Sequence, residues 1–240
     1  MALWYNGYNS SKNSNPWEEF FYQPFGYTLE IVKKKALNYK YIDCLHGEKG
    51  PDYYHPYYNV AIRKYWNNFA SQYIPIKDEI IQKANKFYKL LFKNSHNILG
   101  ILIRGTDYIA KKPFGHAIQP TPEMVIKDIY IENKKNHYKW YFIATEDDLI
   151  RSIFIKEFGK KLKYIKSSIN INYDYNKKEL LAFNPIIQGN LKYMKYYLIN
   201  IIILSKCLDI ITSKTGGALA TFILSNGFRN KKIYELGFYK

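Results

Sequence analysis

A chain of 240 residues with 47% hydrophobic residues can fill a sizeable core, which excludes a tail or linker and fits one large domain or two small ones. Its 36 basic residues outnumber 20 acidic ones for a net charge of +16, so polyanions, anionic membrane surfaces and phosphorylated compounds are all candidate partners. Only four of the basic residues are arginines, and the heavy use of Lys, Asn, Ile and Tyr is what A+T-rich coding produces, so charge alone selects no partner.

Met1 to Lys12 has neither a basic nor an apolar signal-peptide region, and the longest apolar run, Tyr196 to Leu204, is far short of the roughly 20 residues a membrane span needs. A cytoplasmic location is therefore expected. Cys44 and Cys207 make neither a disulfide framework nor a zinc spacing, and they read as small buried hydrophobes. His46, His55, His96, His116 and His137 are scattered, so no metal site is expected.

Texture divides the chain near residue 95 into an N-terminal region, 1–95, and a regular region, 96–240. The first is punctuated by Pro and Gly and rich in aromatic clusters, Trp17/Phe20/Phe21/Tyr22 and Tyr53/Tyr54/Tyr57/Tyr58, which read as packing. Its two predicted helices run from about Tyr57 to Ala70 and from Ile76 to Phe92. In the second region the apolar run Ile98 to Ile103 predicts a strand. Thr121, Pro122 and Glu123 then open a helix as N-cap, first helical residue and first-turn acid. A strand at Trp140 to Ala144, a helix from Asp148 to Phe158 ended by Gly159, and a strand at Leu162 to Ile165 follow. Lys166 to Gly189 reads as an excursion or lid around the apolar patch Leu180 to Phe183. Helices at Leu191 to Lys206 and Gly217 to Ser225 alternate with strands at Leu208 to Thr212 and Lys232 to Leu236. This alternation predicts an α/β fold, a doubly wound, mostly parallel, Rossmann-like sheet.

Ligands of such sheets bind beyond the carboxyl ends of the strands. Arg104-Gly105-Thr106-Asp107-Tyr108 leaves the first strand, and an arginine in so lysine-rich a chain suits a diphosphate, although Arg104 could instead pair with Asp107 to brace the loop. Thr145-Glu146-Asp147-Asp148 leaves the next, where carboxylates can accept from ribose or guanine, or cap the following helix. Thr212-Ser213-Lys214-Thr215-Gly216-Gly217 combines hydroxyls, glycines and a helix start into an anion site, or is an ordinary glycine turn. Neither the P-loop nor the dinucleotide-binding glycine fingerprint is present.

The segments ILGILIRGTDY (Ile98 to Tyr108), GHAIQP (Gly115 to Pro120), WYFIATEDD (Trp140 to Asp148) and TSKTGGALATFILSNGF (Thr212 to Phe228) resemble, in order and spacing, the motifs of fucosyltransferase-like glycosyltransferases. That group includes the α1,6-fucosyltransferases, the protein O-fucosyltransferases and bacterial members of polysaccharide biosynthesis. The resemblance implies a GT-B architecture, with residues 1–95 as an abbreviated acceptor-side region. It also implies a GDP-fucose donor, a glycan acceptor that could be lipid-linked, inverting transfer, and neither metal nor other cofactor. Arg104 would then bind the β-phosphate, with Asp107 orienting its loop. Glu146 and Asp147 would lie near the nucleoside, and Ser213, Thr215, Gly216 and Gly217 would contact the pyrophosphate. His116 is the candidate general base, against the alternative of an ordinary loop histidine. The family often has a histidine where this chain has Leu102. Peripheral contact with an anionic membrane also fits the charge. A degenerate member that binds nucleotide without transfer, and a basic nucleic-acid-binding module, are the competing readings. The dispersed lysines and the lack of any nucleic-acid motif count against the second.

Overall fold

The structure is a computed structural model and describes residues 16–23, 26, 31, 55–166, 171–176 and 190–240. Cys44, the Tyr53/Tyr54 pair, His46 and the patch Leu180 to Phe183 lie outside the described residues. Among the described residues, a 3-10 turn at Pro16–Glu19 and three α-helices precede the sheet: α1 (His55–Tyr58), α2 (Val60–Tyr73) and α3 (Asp78–Phe92). The regular region then runs β1 (Ile98–Leu102), α4 (Asp107–Ala110), α5 (Pro122–Asn136), β2 (Trp140–Ala144), α6 (Asp148–Phe158), β3 (Leu162–Lys163), α7 (Leu191–Leu204), β4 (Asp209–Ser213), α8 (Gly216–Leu224) and β5 (Lys231–Tyr234).

All five strands are parallel, in the order β3-β2-β1-β4-β5. Side chains alternate along β1 between two cores. Ile98 and Leu102 face α3, α7 and α8 together with Phe92, Phe142, Ile203 and Phe222, whereas Leu99 and Ile101 face α5 and α6 together with Val125, Ile129, Ile143 and Phe154. The sheet is thus covered on both faces, which is why β1, β2 and β4 read as nearly continuous apolar runs. The core on the α3 side continues across residue 95: Ile80, Ala84, Tyr88 and Phe92 pack in one cluster with the sheet residues, as does Phe20.

Local signals set most boundaries. Thr121 Oγ1 accepts from the Met124 amide at 3.4 Å to open α5, and Gly159, at φ +50°, closes α6. Several expected elements differ: the helix expected from Tyr57 to Ala70 is split at Asn59, the next begins at Asp78 rather than Ile76, the last strand ends at Tyr234 rather than Leu236, and two more are trimmed. The third strand keeps only Leu162 and Lys163 in the ladder, opposite Tyr141 and Phe142, because the chain leaves the sheet edge there and turns Ile165 into the core. The seventh helix ends at Leu204, where Lys206 and Cys207 close tight turns onto the carbonyls of Ile203 and Leu204. Cys207 is buried, as expected of a small hydrophobe. Among the described residues no helix is long and apolar enough to cross a membrane.

Candidate functional site at the strand-order switch point

The strand order reverses between β1 and β4: the chain moves outward from β1 to β2 and β3, then returns to lay β4 on the other side of β1. Beyond the carboxyl ends of these two neighbours the crossovers diverge and leave a crevice, the general ligand position in open α/β sheets. Its walls are the loop after β1, carrying Arg104, and the loop after β4, leading into α8. The loop after β2 supports the first of them.

Gly105 and Thr106 show how tightly that support is built. The Gly105 amide donates to Glu146 Oε1 at 3.1 Å, and the Thr106 amide donates to Asp147 Oδ2 at 2.9 Å. A side chain at position 105 would overlap the Asp147 carboxylate, so only glycine fits. Thr106 is fully buried at φ +50° and ψ −122°, a strained conformation for a β-branched residue. Its hydroxyl lies 3.1 Å from both Asp107 Oδ1 and Glu146 Oε1, and these bonds over-determine the turn.

Arg104 is clasped from two sides, its Nη2 3.4 Å from Asp107 Oδ1 and its Nε 3.2 Å from Glu146 Oε1. The ring of Tyr108 stacks under the guanidinium at 4.5 Å. Burial opposes charge on Arg104, and the Glu146 carboxylate with the phenols of Tyr197, Tyr193 and Tyr108 more than offsets that, so its pKa stands above the usual value. The bracing alternative is therefore real geometry. It leaves 17% of the side chain exposed.

Glu146 and Asp147 occupy inward positions. Asp147 is 1% exposed and accepts from the Leu149, Ile150 and Thr106 amides and from the Tyr175 hydroxyl, so it caps α6 and ties down the Arg104 loop. The capping alternative describes it, and no lone pair is left for a nucleoside. Glu146 holds Arg104, Gly105 and Thr106, all three through Oε1. Of the excursion after β3, the described part lies on this exit: Ile171 exchanges backbone hydrogen bonds with Glu146 and Asp148. Arg151, on α6, also belongs to this exit. It is buried, and its Nη2 holds the Thr145 carbonyl at 2.6 Å.

Across the crevice, Thr215 Oγ1 caps α8 by accepting from the Ala218 amide at 3.2 Å, and the Thr215 carbonyl accepts from the buried Tyr57 hydroxyl at 2.9 Å. The amides of Gly216 and Gly217 then stand at the open helix end. Ser213 is buried and donates to Gln119 Oε1 at 2.6 Å, so it is a strut between loops rather than an open contact. Lys214 pairs with Glu235 at 3.2 Å. His116 is exposed, edge-on to the Tyr108 ring at 5.0 Å, one ring removed from Arg104. The loop carrying it pairs with the last residues of the chain through Gly115, His116 and Ile118.

Two site residues escaped the sequence reading. Tyr193 and Tyr197, one turn apart on α7, bring their phenols to Arg104 and Glu146, and both pKa values are raised, first by burial. The Tyr197 phenol lies near the Arg104 guanidinium, whose charge partly offsets the rise in the phenol's pKa, and a Cβ on Gly217 would overlap the Tyr197 hydroxyl. This phenol therefore packs on the α8 wall, and Gly217 must be glycine to admit it. Behind it lies a cavity of about 30 Å³ lined by Leu102, Glu146, Tyr193, Tyr197 and Asn200. A wide groove of about 720 Å³ between α5 and α6, lined by Lys127, Tyr130, Lys156 and Glu157 among others, is remote from these loops.

No family model and no curated protein matches the chain. Solved structures similar to the chain include fucosyltransferases. An α1,6-fucosyltransferase, NodZ, co-crystallised with GDP is 13% identical over 62% of this chain and 41% of its own, with a TM-score of 0.37. A structure of the same enzyme from Bradyrhizobium is 12% identical over 62% and 42%, with a TM-score of 0.37. POFUT1 in complex with GDP-fucose is 10% identical over 74% and 49%, with a TM-score of 0.44. The chain spans half or less of the length of each.

Proposed function

We propose that the protein binds a GDP-sugar at the switch point and transfers the sugar to a glycan hydroxyl with inversion. Fucose is the donor sugar that the motif resemblance names. The observation that carries this reading is Arg104, held at the β1 exit by Glu146 and Asp107, with Tyr197 packed beside Gly217 at the open end of α8 across from it. A diphosphate in the crevice would meet the guanidinium edge on one side and the Gly216 and Gly217 amides on the other. When the bond between the anomeric carbon and the phosphate oxygen breaks, charge builds on the diphosphate, and a preorganised guanidinium stabilises it without a metal ion. The acceptor oxygen forms the new bond to carbon and gives up its proton. His116, exposed beside Tyr108, is the group we assign to receive it. Glu146 and Asp147 act by positioning the Arg104 loop.

A thermal-shift panel of GDP, UDP, CMP and NAD tests the reading. GDP at 100 times its Kd adds about 2.7 kcal/mol of stability, and equal shifts from UDP and GDP would refute the guanine assignment. With GDP-fucose as donor, activity should survive EDTA. The double pairing of Arg104 favours one alternative, a protein that binds GDP without turning over its sugar conjugate. It would give the thermal shift with no released GDP.

A further inference from the structure

Phe114 is 86% exposed, and no other described large apolar side chain stands as far out in water. Its backbone is pinned. The Gly115 amide donates to the Tyr239 carbonyl at 3.0 Å, the His116 amide closes the turn onto the Pro113 carbonyl at 3.1 Å, and the Tyr239 amide donates to the His116 carbonyl at 3.0 Å. Gly115, at φ +74°, lets the chain reverse there. The same pairing lays residues 236–239 alongside the loop, and with them two more exposed apolar side chains, Leu236 at 39% and Phe238 at 43%. Lys111 and Lys112 lead into the turn. Both are exposed, and neither ammonium has a hydrogen-bond or ion-pair partner among the described residues. Glu235, the acid that precedes the paired segment, is already held by Lys214 and Tyr58.

Single exposed apolar residues are ordinary, but three of them along one paired strip, flanked by unpaired cations, make an amphipathic patch of the kind that lies in a lipid–water interface. We propose that the Lys111–Gly115 turn, with Leu236 and Phe238, docks the protein on an anionic phospholipid membrane. The Phe114 ring carries no polar atom and can enter the boundary between headgroups and acyl chains, while Lys111 and Lys112 stay with the anionic headgroups. A protruding turn suits such a fluid surface better than a protein partner, which takes roughly 800 Å² from each side in a stable interface. The docking turn leads directly into His116, so that residue, beside the Tyr108 ring, is held near the headgroups. Membrane binding needs no sugar transfer and is tested without a donor.

Co-sedimentation of the full chain with sucrose-loaded vesicles is the test. Vesicles of phosphatidylcholine and phosphatidylglycerol in equal parts should bind the protein, and vesicles of phosphatidylcholine alone should bind it far more weakly. Phe114→Ser should weaken binding about tenfold or more, the loss expected when one aromatic side chain no longer enters the lipid. The double variant Lys111→Glu/Lys112→Glu should weaken it at least as much. Both variants should melt with wild type because the substituted side chains are exposed, and Leu90→Ser, at an exposed apolar position on α3, should bind as wild type does. In Phe114→Trp the added emission should be quenched by vesicles containing brominated phosphatidylglycerol. Wild type that ignores both kinds of vesicle, or binds them equally, overturns the proposal. So does Phe114→Ser binding like wild type, because the attraction would then come from dispersed charge, and so does added Phe114→Trp emission that brominated lipid leaves unquenched.

Discussion

Arg104 lies between Glu146 and Asp107 with a phenol at its back, so its position is fixed before any ligand arrives. Lysine there would keep the charge and lose the fork. We expect Arg104→Lys to weaken GDP binding by about 10- to 150-fold, corresponding to loss of one charge-assisted hydrogen bond at roughly 1.5–3 kcal/mol. Turnover should fall further, because the contact tightens as the leaving diphosphate gains charge. Calorimetric GDP titration beside initial rates separates the two effects, with exposed Lys160→Arg as the control; an unchanged affinity would reduce Arg104 to a brace. Gly217 offers a second check. Gly217→Ala drives a methyl against the Tyr197 hydroxyl, which overpacking makes destabilising by about 1–3 kcal/mol. Tyr197→Phe removes the obstructing oxygen, so the double variant should regain most of the loss in denaturant melts. Additive losses would mean that the two side chains do not meet.

At the scale of elements, the capped helices α5 and α6 differ in what their caps also hold. Thr121 caps the Met124 amide at an exposed helix start, so Thr121→Ala should cost about 0.5–1 kcal/mol. Asp147 caps α6 and also pins the strained Thr106 turn, and Asp147→Ala should cost about 2–4 kcal/mol once buried donors lose their acceptor. Chemical denaturation compares the two; equal costs would show that the Asp147 network adds nothing beyond a cap. This contrast also explains what the sequence discloses. The strand Trp140–Ala144, the Thr121 cap and the Gly159 stop follow from side chains within a turn of one another, and periodicity captures them. That Asp147 faces inward, that Arg151 grips Thr145, and that Tyr197 lies near Arg104 from more than 90 residues away depend on the closed sheet. No local pattern encodes them. An i, i+4 pair of tyrosines on one face of α7 was the available signal, and in a chain with 25 tyrosines it does not stand out.

For the molecule as a whole, the end of the sheet opposite the crevice is held by Asp209. Burial pushes its pKa up, but hydrogen bonds from Arg229, Tyr138 and Asn230 outweigh that and leave it below the ordinary carboxylate value. A folded-state pKa below the unfolded one contributes stability above the unfolded value, about 3.9, and that contribution disappears as pH falls through the folded value. Stability should therefore decline below about pH 4, and Asp209→Asn should flatten the decline while lowering stability at pH 7. A variant with the wild-type acid slope would place the responsible carboxylate elsewhere. The two ends of the sheet thus spend charge differently: Asp209 with Arg229 clamps β4 to β5, while the carboxyl ends present Arg104 to the crevice.

The antiparallel pairing of the His116 loop with Gly237 and Tyr239 also has a bearing on time. These partners emerge from the ribosome about 120 residues after the loop does, and at about 5–20 residues per second the delay is roughly 6–24 s. Through that interval β1 also waits for β4, its neighbour on one side. The nascent chain accordingly carries the Arg104 turn and the His116 loop without the frame that fixes them, and the crevice is among the last parts of the molecule to take shape during synthesis.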